Sequence, residues 1–182
     1  MTTHLFIPDM QVKPSSPLDA VRWIGQYILD KRPDVIVNVG DWWDMPSLSV
    51  YDRGKIQFEG RRYREDIKAG NDALKLLDHA VDQFNYGRRK RGQEEYKPRK
   101  VFLMGNHEDR IRRLIEENAI LDGTVGFHDL NTRDWEVHGF LEPVWIEVVG
   151  DSFNYYNPMT GKPIGGQVSL RLKTIGHSFT MG

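Results

Sequence analysis

Three short segments carry side chains that could hold a metal ion. They are Asp9-Met10-Gln11, Gly40-Asp41-Trp42-Trp43-Asp44 and Gly105-Asn106-His107-Glu108. Carboxylate, carboxamide and imidazole are hard or borderline donors, suited to Mn, Mg, Fe, Ni or Zn. The chain has no Cys, which excludes thiolate metal sites, disulfides and cysteine nucleophiles. Singly, each segment is weak: Gly-Asp after a strand is often a turn, and Asn-His can cap a helix. Here the three occur in order, each directly after its own apolar run. Gly40 and Gly105 are expected to let the backbone turn sharply, so that the next side chain points across a strand end.

The elements that must position these segments alternate. Leu5-Phe6-Ile7 reads as a buried strand, and Val35-Ile36-Val37-Asn38-Val39 as a central parallel one. Val101-Phe102-Leu103-Met104 is the third. Between them, a helix is expected from Ser15-Ser16-Pro17, with a hydroxyl cap, to Lys31; Val21, Trp23, Ile24, Tyr27 and Ile28 recur near helical spacing. A longer helix is expected over 61–86 and a charged one over 108–118. Strand–helix–strand order implies parallel strands with right-handed crossovers, whose C-terminal ends lie together and form a ligand crevice. After Gly123 the texture turns towards strands, at 135–137, 144–149 and 152–156. Gly165-Gly166 is expected to open a helix through Leu172, and 178–181 a last short strand.

Composition narrows the class. With 182 residues, 39% hydrophobic and 28% charged, the chain is expected to form one domain over 1–182. Mean hydropathy is -0.56, and no run approaches the roughly 18 apolar residues of a spanning helix, so no membrane is expected. No export signal is visible, and a cytoplasmic location is expected. Net charge is -1 but uneven: seven basic residues against Glu94 and Glu95 make 86–100 a +5 segment on a -6 remainder. That segment is either a contact for a polyanion or a solvated helix end and loop.

The three segments resemble the calcineurin-like metallophosphoesterase superfamily, in a style similar to its phage-borne members. The family's opening Asp-x-His stands here as Asp9-Met10-Gln11, while its Gly-Asp-x-x-Asp and Gly-Asn-His-Glu/Asp are intact at 40–44 and 105–108. The resemblance covers at least residues 4–110. It implies an α/β fold, a two-sheet sandwich of mixed sheets with outer helices, and two divalent metal ions, Mn foremost, with Fe, Ni, Zn or Mg as alternatives. It implies that Asp9 and Gln11 hold the first metal, that Asp41 bridges both, and that Asn106 binds the second. His107 would protonate the leaving oxygen and Asp44 would orient it. The implied activity is metal-dependent hydrolysis of phosphoesters, above all phosphodiesters, with DNA or RNA as partner. The alternative is a non-catalytic nucleic-acid-binding module with the same fold.

The chain departs from the family pattern in three places. Gln11 replaces a His. A later strand should bring another His; Val137-His138-Gly139 comes early for it, and the better-placed strand offers Asn154. The terminal Gly-His-x-His is expected to be missing: 179–182 reads as the strand leading into it, so the domain is expected to be truncated and His177 to be an ordinary strand residue. Trp42 and Trp43 either stack on a base or pack in the core.

Overall fold

A computed structural model describes residues 2–140, together with the backbone of 145–148, 151–155, 170–174 and 177–179. Four strands form a parallel sheet in sequence order: β1 His4–Ile7, β2 Val35–Asn38, β3 Arg99–Leu103 and β4 Glu136–His138. Their registers align His4 with Val35, Val35 with Arg99, and Leu103 with His138. α1 Asp19–Lys31, α2 Tyr63–Lys90 and α3 Asp109–Glu117 make the crossovers. A strand order that advances one step at a time, with right-handed crossovers, keeps the connecting helices on one face. α1 and α2 pack together there, and a Cβ at Gly25 of α1 would meet the Ala80 Cβ at 3.2 Å.

All of β2 is buried, as are Val101, Phe102 and Leu103 of β3. That is the pattern of a parallel strand covered on both faces, and it is why these runs are almost wholly apolar. From α2, Ala73, Leu74, Leu77 and Val81 enter the core at helical spacing. The helix runs past the expected end at 86 to Lys90. Asn85 then ties the following loop back: its amide donates to the Tyr96 carbonyl and its oxygen accepts from the Tyr96 N–H, both at 2.8 Å.

Two local expectations are corrected. α1 starts at Asp19 with Leu18 at its cap and no side-chain cap bond; Ser16 Oγ accepts from the Lys13 N–H in the preceding turn instead. Of the apolar positions on α1, Val21 and Ile28 are buried while Trp23 is 73% exposed. The second correction concerns the end of the chain. β5 Trp145–Val148, β6 Asp151–Tyr155, β7 Leu170–Thr174 and β8 His177–Phe179 form a second sheet, antiparallel throughout. The helix expected through Leu172 is therefore a strand at 170–174. Leu170, Leu172 and Thr174 alternate with Arg171 and Lys173, a period of two that fits a strand. Among the described strands the sheets are one parallel and one antiparallel, rather than mixed.

Candidate metal centre

The loop after β2 is held in an uncommon backbone shape. Gly40 has φ 95, and Asp41 and Met45 both have φ 50; Gln11, from the tail of β1, has φ 44. Left-handed conformation costs roughly 1–2 kcal/mol for a residue with a Cβ, least for Asp and Asn. The two loops are stitched together by Gln11 N–H to the Asp41 carbonyl (2.9 Å), Val12 N–H to the Trp42 carbonyl (2.7 Å) and Asp44 N–H to the Val12 carbonyl (2.9 Å). Trp42 and Trp43 anchor this loop and are fully buried, so they are core and no base can reach them. The Trp42 indole donates to the Gly70 carbonyl at 3.0 Å, and the Trp43 ring lies 5.6 Å from that of Phe102. A Cβ at Gly70 would stand 1.9 Å from the Trp43 ring.

The next loop is fastened to this one by Glu108, a residue whose part the sequence alone did not reveal. Its carboxylate is fully buried and accepts three backbone N–H groups: Gly105 at 2.7 Å, Asp41 at 3.0 Å and Trp43 at 3.0 Å. Burial pushes Glu108 up to about 7, against the pull of the Trp43 and Gly105 N–H groups and with a further push from Asp41. Gly105 is needed for close approach. A Cβ there would stand 2.0 Å from Asp41 Oδ1 and 2.3 Å from the Asp41 nitrogen. Asp41 Oδ1 in turn accepts from the His107 N–H at 2.9 Å.

His107 is gripped on both ring nitrogens. Nδ1 lies 2.7 Å from the Asp44 carbonyl and 3.2 Å from its carboxylate. Both are acceptors, so Nδ1 carries a proton. Nε2 accepts from Arg110 at 3.1 Å, and the same guanidinium donates to the carbonyls of Asp44 (2.8 Å) and Met45 (3.2 Å). Burial lowers the His107 pKa, but the bonds to Asp44 outweigh it and the net direction is up. Burial raises the Asp44 pKa, but His107, Lys13 and Arg110 hold it below the usual carboxylate range. Lys13 Nζ lies 3.5 Å from the Asp44 carboxylate.

Asp9, Gln11, Asp41 and Asn106 therefore share one sheet edge. Burial and the Asp41 charge raise the Asp9 pKa. A carboxylate raised by a neighbouring negative charge, with neutral amide oxygens on the same edge, suits a hard divalent cation. Among the described residues no three His, Cys, Asp or Glu side chains cluster as a metal site; Asp9 and Asp41 are the two carboxylates at this edge, and Gln11 and Asn106 are the two carboxamides. Asn154 lies on β6, opposite Trp145 and Arg171, and its side chain is outside the described residues. His138 ends β4, and its Nε2 meets Glu136 at 2.9 Å. His177 is on β8, opposite Thr174.

The +5 segment lies elsewhere. It spans the end of α2 and the start of β3, and Arg99 precedes Leu103 by four residues, about 13 Å of strand. Arg89 and Lys97 pair with Glu95, Arg99 pairs with Glu136 and Lys100 with Asp78.

The calcineurin-like phosphoesterase model matches residues 3–169, and the chain belongs to that family. No curated protein and no solved structure matches the chain. The family's general activity is metal-dependent hydrolysis of phosphoesters, and its members typically bind two divalent ions. No helix among the described residues is long and apolar enough to cross a membrane.

Proposed function

We propose that this chain hydrolyses phosphodiesters, nucleic acid foremost, with two divalent cations, Mn before others. Asp9, Gln11, Asp41 and Asn106 would hold them, with Asn154 as a further oxygen donor. When bound, such a pair lowers the pKa of water towards about 7 and neutralises phosphoryl charge. The protein's own part is proton handling. His107 adjoins Asn106, and its Nδ1 proton is fixed on Asp44, which leaves Nε2 to exchange a proton with the leaving oxygen. Arg110 occupies Nε2 in this structure. A phosphate that draws Arg110 away frees Nε2 for that proton, and the Asp44 carboxylate favours the resulting charge. The observation that carries the reading is this Asp44–His107–Arg110 chain beside two carboxylates on one sheet edge.

The test is His107→Ala. It should keep Mn affinity by calorimetry and lose roughly 10²–10⁴-fold in phosphodiester hydrolysis, with the larger loss for the poorer leaving group. An active parent with an equally active variant would remove His107 from the chemistry. A second reading, a binding module without catalysis, draws on the small charged donor set among the described residues. It prevails if the Mn-loaded parent hydrolyses no phosphoester while still binding nucleic acid.

A further inference from the structure

Two hollows flank the Arg110 side chain. The larger, about 680 Å³, is lined by five carboxylates, Asp44 and Asp66 among them, against four cations. Its Arg61 is already bound to Asp52 at 2.7 Å and to the Pro46 carbonyl at 3.0 Å. The excess of carboxylates disfavours a polyanion there. The other is a groove of about 430 Å³ between α3 and the 3-10 turn Val50–Asp52, and Asn106 itself lines it. Three arginines face this groove against one carboxylate, Glu117, which pairs with Arg53 at 3.3 Å. Arg110 bonds to two carbonyls and His107 but forms no ion pair among the described residues. Arg113 is pre-set by its bond to the Asn106 carbonyl (2.8 Å) and its pair with Asp109 (3.3 Å). The rest of the lining is apolar or aromatic: Leu48, Val50, Tyr51 and Leu114. Tyr51 is 81% exposed, an aromatic ring presented to solvent at the mouth of a cationic groove.

We propose that this groove seats the nucleotide next to the scissile phosphate of a single-stranded nucleic acid, its base stacked on Tyr51 and its backbone facing Arg110 and Arg113. The inference rests on the phosphodiester reading above and deepens it. A base within a duplex is already stacked on both faces and cannot lie on Tyr51, so the groove selects single strands. Arginine supplies the planar, bidentate donors that phosphate oxygens take. The apolar walls take the face or edge of a base without choosing among bases.

The test is fluorescence anisotropy in EDTA, where no hydrolysis interferes, with labelled oligothymidylate, oligouridylate, an abasic oligomer of equal length and a duplex. The parent should bind the two base-bearing single strands more tightly than the abasic strand and the duplex. The better of the two identifies the sugar that the groove takes. Tyr51→Ala should weaken base-bearing strands by roughly 5- to 100-fold, the usual worth of one stacked base, and leave the abasic strand unchanged. Tyr51→Phe keeps the ring and should bind as the parent does. Equal binding of abasic and base-bearing strands by the parent, or an unaffected Tyr51→Ala, overturns the groove assignment. Mn-dependent hydrolysis of bis(p-nitrophenyl) phosphate is read separately. Its absence with the base preference intact overturns the hydrolytic reading alone; its presence without that preference overturns the groove alone.

Discussion

Replacing Glu108 with Gln should flatten the pH dependence of stability. The buried carboxyl sits at about 7 in the folded chain against an ordinary value of 4.5. A raised carboxyl pKa means that the folded state binds the proton more tightly than the unfolded state. Its contribution to stability is therefore fully present below 4.5 and is lost as pH rises through about 7. Integrated between about pH 5 and about pH 8, that single group costs the parent roughly 2.5 kcal/mol. Gln has no such proton. It keeps one oxygen, enough for the Asp41 and Gly105 N–H groups, and turns an NH₂ towards the Trp43 N–H, a mismatch worth about 1–3 kcal/mol at every pH. His107, whose pKa is raised, is present in both proteins, so its own contribution cancels in the comparison. The assay is urea unfolding of metal-free parent and variant at the two pH values. The parent should lead at the lower pH and lose roughly 2.5 kcal/mol of that lead at the higher one. Parallel stabilities at both pH values would show that Glu108 does not titrate as a buried clamp, and would refute the reasoning.

Gly105→Ala should fold, as judged by circular dichroism, but lose at least about tenfold in Mn affinity by calorimetry, because the new methyl group meets Asp41 Oδ1. Unchanged affinity would mean that Asp41 is not a ligand. Gly70→Ala should lower the unfolding free energy by about 1–3 kcal/mol or more in urea titration, since the Trp43 ring cannot make room within the core. Asp41→Asn should weaken Mn binding more than Gln11→Ala, because it removes charge; the reverse order in calorimetry would count against a central place for Asp41. Changing Arg88, Arg89, Lys90 and Arg91 together to Ala should leave the salt slope of nucleic-acid binding as it is. A fall in slope approaching about 0.9 per lost contact would place the backbone on that segment after all.

The strand ends were legible because two signals coincide there. An apolar run marks a strand buried on both faces, and the residues after it must leave the sheet, so polar side chains at 41, 106 and 107 fall on one edge. Trp42 and Trp43 were ambiguous because aromatic rings serve both cores and base stacks. Only the position of Gly70, far along the chain on α2, decides for the core. Glu108 was not legible for a similar reason. Two of its three partners are backbone groups more than sixty residues earlier, and backbone groups carry no sequence signal. The basic segment is legible only in part. Its charges are visible in sequence, but the carboxylates that answer Arg99 and Lys100, Glu136 and Asp78, come from β4 and α2. Tyr51 carries no signal in sequence, because a lone aromatic means little until the fold sets the arginines of α3 in the same groove.

The way the edge is built also says what must move when it works. Met45 holds left-handed backbone at a cost of about 1–2 kcal/mol, and Asp41 does so at a smaller one. That cost is offset by two buried indoles and by the three N–H bonds to Glu108. On the proposed reading Asp41 is ordered before a cation arrives, which lowers the cost of binding one. His107 is equally fixed at Nδ1. The Arg110 contact at Nε2 differs, because a guanidinium donor and a protonated Nε2 cannot face each other at 3.1 Å. Proton uptake at Nε2 and the Arg110 bond are mutually exclusive. An anion is the group that can draw Arg110 aside, and the groove that Arg110 lines is where one would arrive.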